Sequence, residues 1–119
     1  MASAGEAIGE IRITNNGKTN INLQRIDVEG VAQDTKTVPA LIVSQSNVSF
    51  KLSEEQRRYV AVKPAIAAGD RIPIECRAYL LTLDKKHYAL DFTWFFKAKD
   101  GVLTEGNVID HPITEIKQP

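Results

Sequence analysis

Apolar and polar residues alternate with a period of two along much of this chain, most regularly between residues 88 and 98. In an extended strand successive side chains point to opposite faces, so this pattern predicts a β-strand with one buried face. Alternate positions of the segment carry Tyr88, Leu90, Phe92, Trp94, Phe96 and Ala98. Five of the eight aromatic residues lie in this segment, so we predict that the core is densest here and that a second layer buries it.

A second long alternating segment, residues 71–83, comes just before the aromatic one. Its apolar face is formed by Ile72, Ile74, Cys76, Ala78 and Leu80. A short polar connection over residues 84–87 separates the two segments. Together they predict the longest β-hairpin of the protein.

The first part of the chain carries a strong turn signal between two shorter alternating segments. Residues 9–14 and 19–29 read as strands, and Asn16-Gly17 between them is typical of a tight hairpin. Within residues 19–29 the apolar positions change from odd to even numbers. That change predicts a β-bulge near residues 24–25 or, alternatively, a switch of the strand from one sheet to the other.

Several further segments complete the predicted set of strands. Residues 38–44, which include Pro39, predict a strand near a sheet edge, and residues 47–52 predict a strand with Val48 and Phe50 inward. Ser53 and Gln56 have the spacing of a capping box at the start of one helical turn. Extended structure is predicted again over residues 59–63, and one or two last strands follow a turn at residues 100–101.

This spacing of short strands, without a long segment of helical period, predicts an all-β fold. The predicted architecture is an immunoglobulin-like antiparallel β-sandwich of about 7–9 strands, with a closed β-barrel as the alternative. The 119 residues suit a single domain, residues 1–119. Residues 1–9 are interpreted as a flexible start, either natural or left where a preceding segment was removed.

Charge and cysteine content narrow the range of partners. Fifteen basic and fifteen acidic residues give no net charge, so no long-range field favours nucleic acid or an anionic membrane. No apolar run reaches the roughly 20 residues that span a bilayer, so no membrane contact by this segment is expected. The single cysteine, Cys76, shares its strand face with apolar residues and is predicted to be buried; a bridge to another chain would require that face to be exposed.

Candidate chemistry is sparse, and the prediction is that the protein is not an enzyme and needs no cofactor or metal. His87 and His111 have no metal-ligand spacing, and no serine lies in a nucleophile-elbow motif. The glycines are scattered rather than grouped in a phosphate-binding loop. The sequon at Asn47 would matter only outside the cytoplasm.

Phe95 is unusual because it places apolar bulk on the second face of the aromatic strand. One interpretation is that a loop or the alkyl stems of neighbouring side chains cover Phe95. The other is a partner-binding surface on the outward face of the long hairpin. That candidate site consists of Tyr79, Leu81, Leu83, Thr93 and Phe95.

The segment 11–23, Ile-Arg-Ile-Thr-Asn-Asn-Gly-Lys-Thr-Asn-Ile-Asn-Leu, resembles the start of the β-sandwich domain in archaeal type IV pilin-like proteins, which include archaellins and archaellum accessory (stator) proteins. Ala68-Gly69-Asp70, followed by a long hairpin containing Tyr88, is similar to a later part of that family's pattern. Members of the family carry an N-terminal hydrophobic helix, which this sequence lacks. The resemblance therefore implies a soluble domain that is separated from its anchor.

The same resemblance implies an extracytoplasmic, cell-surface location and a role in a motility filament. The expected function is non-catalytic binding of a surface-layer protein, an accessory subunit or a second copy of the chain. Two alternatives stay open: a virion or tail decoration domain, and a carbohydrate-binding module in which Tyr79 and Phe95 stack on sugar rings.

Overall fold

A computed structural model describes residues 1–7, 10–32, 39–56, 71–99, 102–104 and 107–117 of the chain. These residues contain eleven strands, and the strands pair with one another in antiparallel orientation. The strands are β1 (Ala2–Ala7), β2 (Glu10–Asn15), β3 (Ile21–Val28), β4 (Val31–Ala32), β5 (Ala40–Ile42), β6 (Asn47–Phe50), β7 (Arg71–Thr82), β8 (His87–Lys99), β9 (Val102–Thr104), β10 (Val108–Asp110) and β11 (Thr114–Ile116).

The larger of two sheets is organised around the hairpin of β7 and β8. Strand β3 lies beside β7, and the short strands β4 and β5 lie along the outer edge of β3. Along the outer edge of β8, the strands β9, β10 and β11 follow one another. The predicted long hairpin is therefore confirmed, with Leu81 opposite His87 at its closed end.

The smaller sheet has the order β1-β2-β6 and covers one face of the larger sheet. Ile11 and Ile13 of β2 pack in one core with the inward side chains of the larger sheet. In β8 the predicted inward positions Leu90, Phe92 and Trp94 are each at most 1% exposed. The prediction of an all-β antiparallel sandwich is confirmed, and the described strands form two open sheets rather than a closed barrel.

Several local predictions are also confirmed. The register between β3 and β7 shifts between Leu23 and Arg25, so the change of parity reflects a β-bulge rather than a change of sheet. Strand β5 lies at an edge of the larger sheet. The capping box forms as predicted: the Ser53 N–H donates to Gln56 Oε1 (3.0 Å), and the Gln56 N–H donates to Ser53 Oγ (3.1 Å).

The Asn-Gly hairpin prediction is wrong. Strand β2 pairs with β1 and β6, whereas β3 pairs with β4, β5 and β7, so residues 16–20 connect two sheets. A two-residue turn of the expected kind needs positive φ, and neither Asn16 nor Gly17 has it. Positive φ occurs instead at Glu29 (51°) and Gly30 (83°), which form the tight turn from β3 to β4.

Asn15 explains why the chain forms a corner at this point. Its side chain is 1% exposed and donates to the carbonyls of Thr19 (2.8 Å) and Ile42 (3.0 Å), while its Oδ1 accepts from the Gly17 N–H (2.9 Å). These bonds satisfy backbone groups within the connection and at the end of β5, so the side chain of Asn15 holds the connection against the larger sheet.

The interpretation of residues 1–9 as a flexible start also needs correction. Residues Ala2–Ala7 form β1, which pairs along its length with β2. The small side chains of Ala2 and Ala4 pack against the core. Small residues carry little apolar periodicity, so no alternation marks this segment as a strand.

Three predictions fall outside the described residues: the extended segment at 59–63, the loop at 68–70 and the turn at 100–101. In the part of the chain that is described, no helix is long and apolar enough to cross a membrane.

Candidate partner-binding face

The candidate site lies on the face of the larger sheet that points away from the smaller one, here called the outer face. Its described side chains come mainly from β3, β7 and β8, at the positions that alternate with the core residues. From one end to the other it carries an aliphatic strip, a row of ion pairs and a polar cluster.

The row of ion pairs runs across three strands. Asp27, Arg77 and Asp91 lie opposite one another in β3, β7 and β8. Arg77 binds Asp91 through both ends of its guanidinium, Nε to Oδ1 at 2.6 Å and Nη2 to Oδ2 at 3.0 Å. Arg25 Nε lies 2.6 Å from Asp27 Oδ1, and its guanidinium carbon lies 5.6 Å from the centre of the Tyr79 ring.

These bonds shift the pKa values of both arginines. The hydrogen bond with Asp91 raises the pKa of Arg77 above its ordinary value, and the bond with Asp27 does the same for Arg25. Arg25, Arg77 and Asp91 are substantially solvent-exposed, whereas the Asp27 side chain is only 13% exposed. Because each pair has at least one exposed partner, each adds little to stability, about 1 kcal/mol. Their main effect is to hold charged groups at fixed places on the face.

The polar cluster consists of Glu75, Thr93 and His111. Thr93 Oγ1 lies 3.1 Å from Glu75 Oε2 and 3.2 Å from His111 Nε2. Thr93 is thus the central member of the cluster, whereas in a nucleophilic triad the histidine lies between the nucleophile and the acid. In this arrangement Thr93 donates to the carboxylate, and the ring nitrogen of His111 can donate to the Thr93 hydroxyl.

A shallow depression of about 570 Å³ lies over the ion pairs and the polar cluster. Its lining includes the carboxylates of Asp27, Glu29, Glu75 and Asp91, together with Arg77. The Glu75 N–H donates to Glu29 Oε1 (3.2 Å), which ties the β3–β4 turn to β7. Among the described residues, no group of three or more His, Cys, Asp or Glu side chains is placed to hold a metal ion.

The aliphatic strip consists of Leu41, Val43, Leu81 and Leu83 at the other end of the face. Leu41 and Leu81 lie on either side of Asn22 in the register of β5, β3 and β7. Val43 follows β5 and Leu83 follows β7 at the same end of the sheet. Leu41 (54%), Val43 (51%) and Leu83 (67%) are the most exposed large apolar residues in the described part of the chain.

The five residues predicted as a partner site therefore lie in separate parts of the outer face and do not form one patch. Leu81 and Leu83 belong to the aliphatic strip, and half-buried Tyr79 lies beside Arg25. Thr93 is only 6% exposed and belongs to the polar cluster. Phe95 is half-buried two residues farther along β8, so the ion pairs and the polar cluster separate it from Leu81 and Leu83.

Strands β3 and β5 also contribute side chains to this face, and the predicted site did not include them. The sequence pattern could have indicated Leu41 and Val43, because both alternate with the buried Ile42 in an edge strand and therefore point outward. No sequence signal marks Asp27 or Arg25 as part of the face. Asp27 lies opposite Arg77, and Arg25 lies opposite Tyr79, only because β3 pairs with β7 and the bulge sets their register.

Comparison of the chain with protein-family models, curated proteins and solved structures finds no match.

Cys76 lies behind the depression with its side chain turned into the core. It is 4% exposed, and its Sγ lies 3.6 Å from the Ile74 carbonyl oxygen. Burial, together with the nearby charges of Glu29 and Glu75, raises the pKa of the thiol far above its ordinary value. The prediction that Cys76 is a buried apolar residue is confirmed.

We expect the Cys76 thiol to resist alkylation by iodoacetamide in the folded protein at pH 8 and to react at the rate of a free cysteine in denaturant, because the thiolate is the reactive form. The measurement is the mass shift over time with and without denaturant. Equal rates under the two conditions would contradict the burial of this side chain.

Proposed function

We propose that this chain is a non-catalytic protein-binding domain of a cell-surface filament machine of the archaellum type, and that it binds a surface-layer protein or a partner subunit through the outer face. The observation that carries the binding proposal is the aliphatic strip. Three strongly exposed aliphatic side chains gathered at one end of a sheet leave apolar area in water that a partner could bury. The filament assignment rests on the sequence resemblance alone.

The rest of the outer face supports binding of a protein rather than of a small molecule. Arg25 and Arg77 are already held by carboxylates, so the face presents charges in fixed positions beside apolar side chains. A protein interface commonly combines an apolar centre with a polar rim of this kind. The depression is shallow and most of its lining residues are charged, whereas small-molecule pockets are usually enclosed and lined mostly by apolar side chains.

The carbohydrate alternative has weaker support. A sugar-binding platform needs aromatic rings with free faces. The Arg25 guanidinium lies over the Tyr79 ring, and Phe95 is half-buried at the other end of the ion pairs. The two rings therefore do not form one open stacking surface.

The test is co-sedimentation of the purified chain with surface-layer sheets isolated from the organism that carries it. We expect the chain to sediment with the sheets, and Leu83→Asp to weaken this binding about tenfold or more, because the substitution places a charge within the buried area of the interface. Ser49→Asp is the matched control, since it adds the same charge at an exposed position of β6 in the smaller sheet.

Failure of the chain to bind the sheets would contradict the surface-layer proposal. Equal binding of the chain and of Leu83→Asp would show that the outer face is not the contact. A glycan array that retains the chain, with loss of binding on Tyr79→Ala, would favour the carbohydrate alternative instead.

A further inference from the structure

We propose that the outer face also pairs with the outer face of a second copy of this chain, in antiparallel orientation about a two-fold axis. This inference rests on the proposed function, because it names the chemistry of one partner of the same face. It is carried by the distribution of charge and apolar area along that face.

Among the described side chains, two regions of the outer face carry opposite charge. At the closed end of the β7–β8 hairpin lie the exposed Lys85, Lys86 and Asp84, with Lys86 Nζ 3.9 Å from Asp84 Oδ2, and the exposed Lys18 lies in the connection that enters β3 at this end of the sheet. Across the ion pairs and the depression, in the middle of the long strands, lie four carboxylates and two guanidinium groups: Asp27, Glu29, Glu75, Asp91, Arg25 and Arg77. The hairpin end is therefore net basic, and the middle of the face is net acidic.

The basic end is a fixed structure rather than a loose loop. The Lys85 N–H donates to the Thr82 carbonyl (3.0 Å), and the Thr82 N–H donates to the Lys86 carbonyl (3.0 Å). The Thr82 hydroxyl donates to Asp84, and this bond holds the pKa of Asp84 below its ordinary value. Lys85 and Lys86 therefore start from defined backbone positions beside Leu83.

The aliphatic strip lies between the basic and the acidic region. Along β7 the outward positions run from Leu81 through Tyr79 and Arg77 to Glu75, and Leu83 follows in the turn. At about 3.4 Å per residue, Leu81 and Glu75 are about 20 Å apart. Flexible lysine side chains at the turn can therefore reach the acidic region of a face laid over this one.

An antiparallel second copy fits this pattern because a two-fold axis between the basic and the acidic region places each region of one face over the other region of its partner. The lysines of each copy then face the carboxylates of its partner, while the aliphatic strips approach each other near the axis. A partner of a single charge sign would meet like charge in one region. With fifteen basic and fifteen acidic residues, two copies also experience no long-range repulsion.

Two asparagines support self-pairing within the strip. Asn20 and Asn22 lie between the aliphatic pairs, and the Asn20 side chain already accepts from the Ser44 N–H (3.0 Å). A side-chain amide both donates and accepts hydrogen bonds, so two copies of the same amide can satisfy each other across a two-fold axis.

The test is sedimentation velocity of the whole chain over a range of micromolar to millimolar concentrations. We expect a reversible monomer–dimer equilibrium, about tenfold or more weaker for Leu83→Asp and unchanged for the control Ser49→Asp. Because Leu83 is 67% exposed, the variant should unfold at nearly the same temperature as the unmodified chain, which thermal unfolding checks.

A charge exchange tests the orientation of the two copies. The double variants Lys85→Glu/Lys86→Glu and Glu29→Lys/Glu75→Lys should each associate weakly with themselves, because both regions then carry the same sign. An equimolar mixture should form the dimer again, since both contacts in the mixed pair are complementary. The self-association of the unmodified chain should also weaken as salt is added.

Three outcomes would each overturn this inference. The first is a chain that stays monomeric at every concentration, and the second is a Leu83→Asp variant that dimerises as well as the unmodified chain. The third is a mixture of the two double variants that associates no more strongly than either variant alone. Those outcomes leave the proposed function standing if the monomer still sediments with surface-layer sheets in a Leu83-dependent way. Loss of sheet binding together with an intact dimer would contradict the surface-layer proposal alone.

Discussion

Replacing Trp94 with alanine is expected to lower the free energy of unfolding by about 3–5 kcal/mol. Trp94 is 1% exposed, lies in the middle of β8 and has its ring centre 4.6 Å from that of Phe96. Removing the indole leaves a cavity between two sheets that pack from both sides, so the walls cannot close easily. Urea unfolding, followed by far-ultraviolet circular dichroism, measures the loss.

The neighbouring residue supplies a matched control for this prediction. Phe95→Ala removes a ring from the same strand but on the outer face, where the side chain is half-buried, so we expect a loss of about 1 kcal/mol. If the two substitutions cost the same, the assignment of inward and outward faces in β8 would be wrong.

A conservative substitution at the same position separates packing from polarity. The Trp94 Nε1–H is buried and has no hydrogen-bond partner among the described residues. Trp94→Phe removes this unsatisfied donor together with part of the ring, so we expect a much smaller loss than for alanine.

Replacing Asn15 with alanine is expected to cost about 3 kcal/mol, because it removes the side-chain bonds that hold the corner between β2 and β3. The buried Ile42 carbonyl would lose its donor, and a buried polar group left unpaired costs about 1–3 kcal/mol; the bonds to the more exposed Thr19 carbonyl and Gly17 N–H would be lost as well, each at a smaller cost. The measurement is again the free energy of unfolding in urea.

Two comparisons make the Asn15 prediction specific. Asn16→Ala alters the exposed residue next to it and should change stability by less than about 1 kcal/mol. Asn15→Asp keeps an acceptor for Gly17 but turns a carboxylate toward two carbonyl oxygens, which raises the pKa of that carboxylate in the folded protein. Its deficit relative to the unmodified chain should therefore be full at pH 7 and shrink as the pH falls through that raised pKa.

Equal stability of Asn15→Ala and the unmodified chain would contradict the role of Asn15 at the corner. An Asn15→Asp deficit that does not change with pH would mean that the new carboxylate does not face the carbonyls of Thr19 and Ile42.

In the larger sheet, stability and the proposed binding depend on different side chains. The inward side chains of the sheet form the core, whereas the outward ion pairs each have an exposed partner and contribute little to folding. Substitutions such as Leu83→Asp can therefore change binding with little change in stability, which makes the binding experiments interpretable.

The amino-acid sequence by itself determined the features that depend on spacing within one strand or turn. The alternation in residues 71–83 and 88–98 predicts both long strands and their inward faces, because the side-chain period of a strand is two. The capping box of Ser53 and Gln56 is equally local, since it depends on residues only three positions apart. The change of parity near residue 24 marked an irregularity in β3, but only the pairing of β3 with β7 showed that it is a bulge rather than a switch of sheet.

The tertiary structure alone decided which strands become neighbours. Asn16-Gly17 is compatible with a hairpin and with a corner, and the corner forms because Asn15 reaches the Ile42 carbonyl, 27 residues away in the chain. The candidate face arises in the same way. Asp27, Arg77 and Asp91 meet, and Leu41 comes to lie near Leu81, only because β5, β3, β7 and β8 stand side by side, an order that no single strand's pattern encodes.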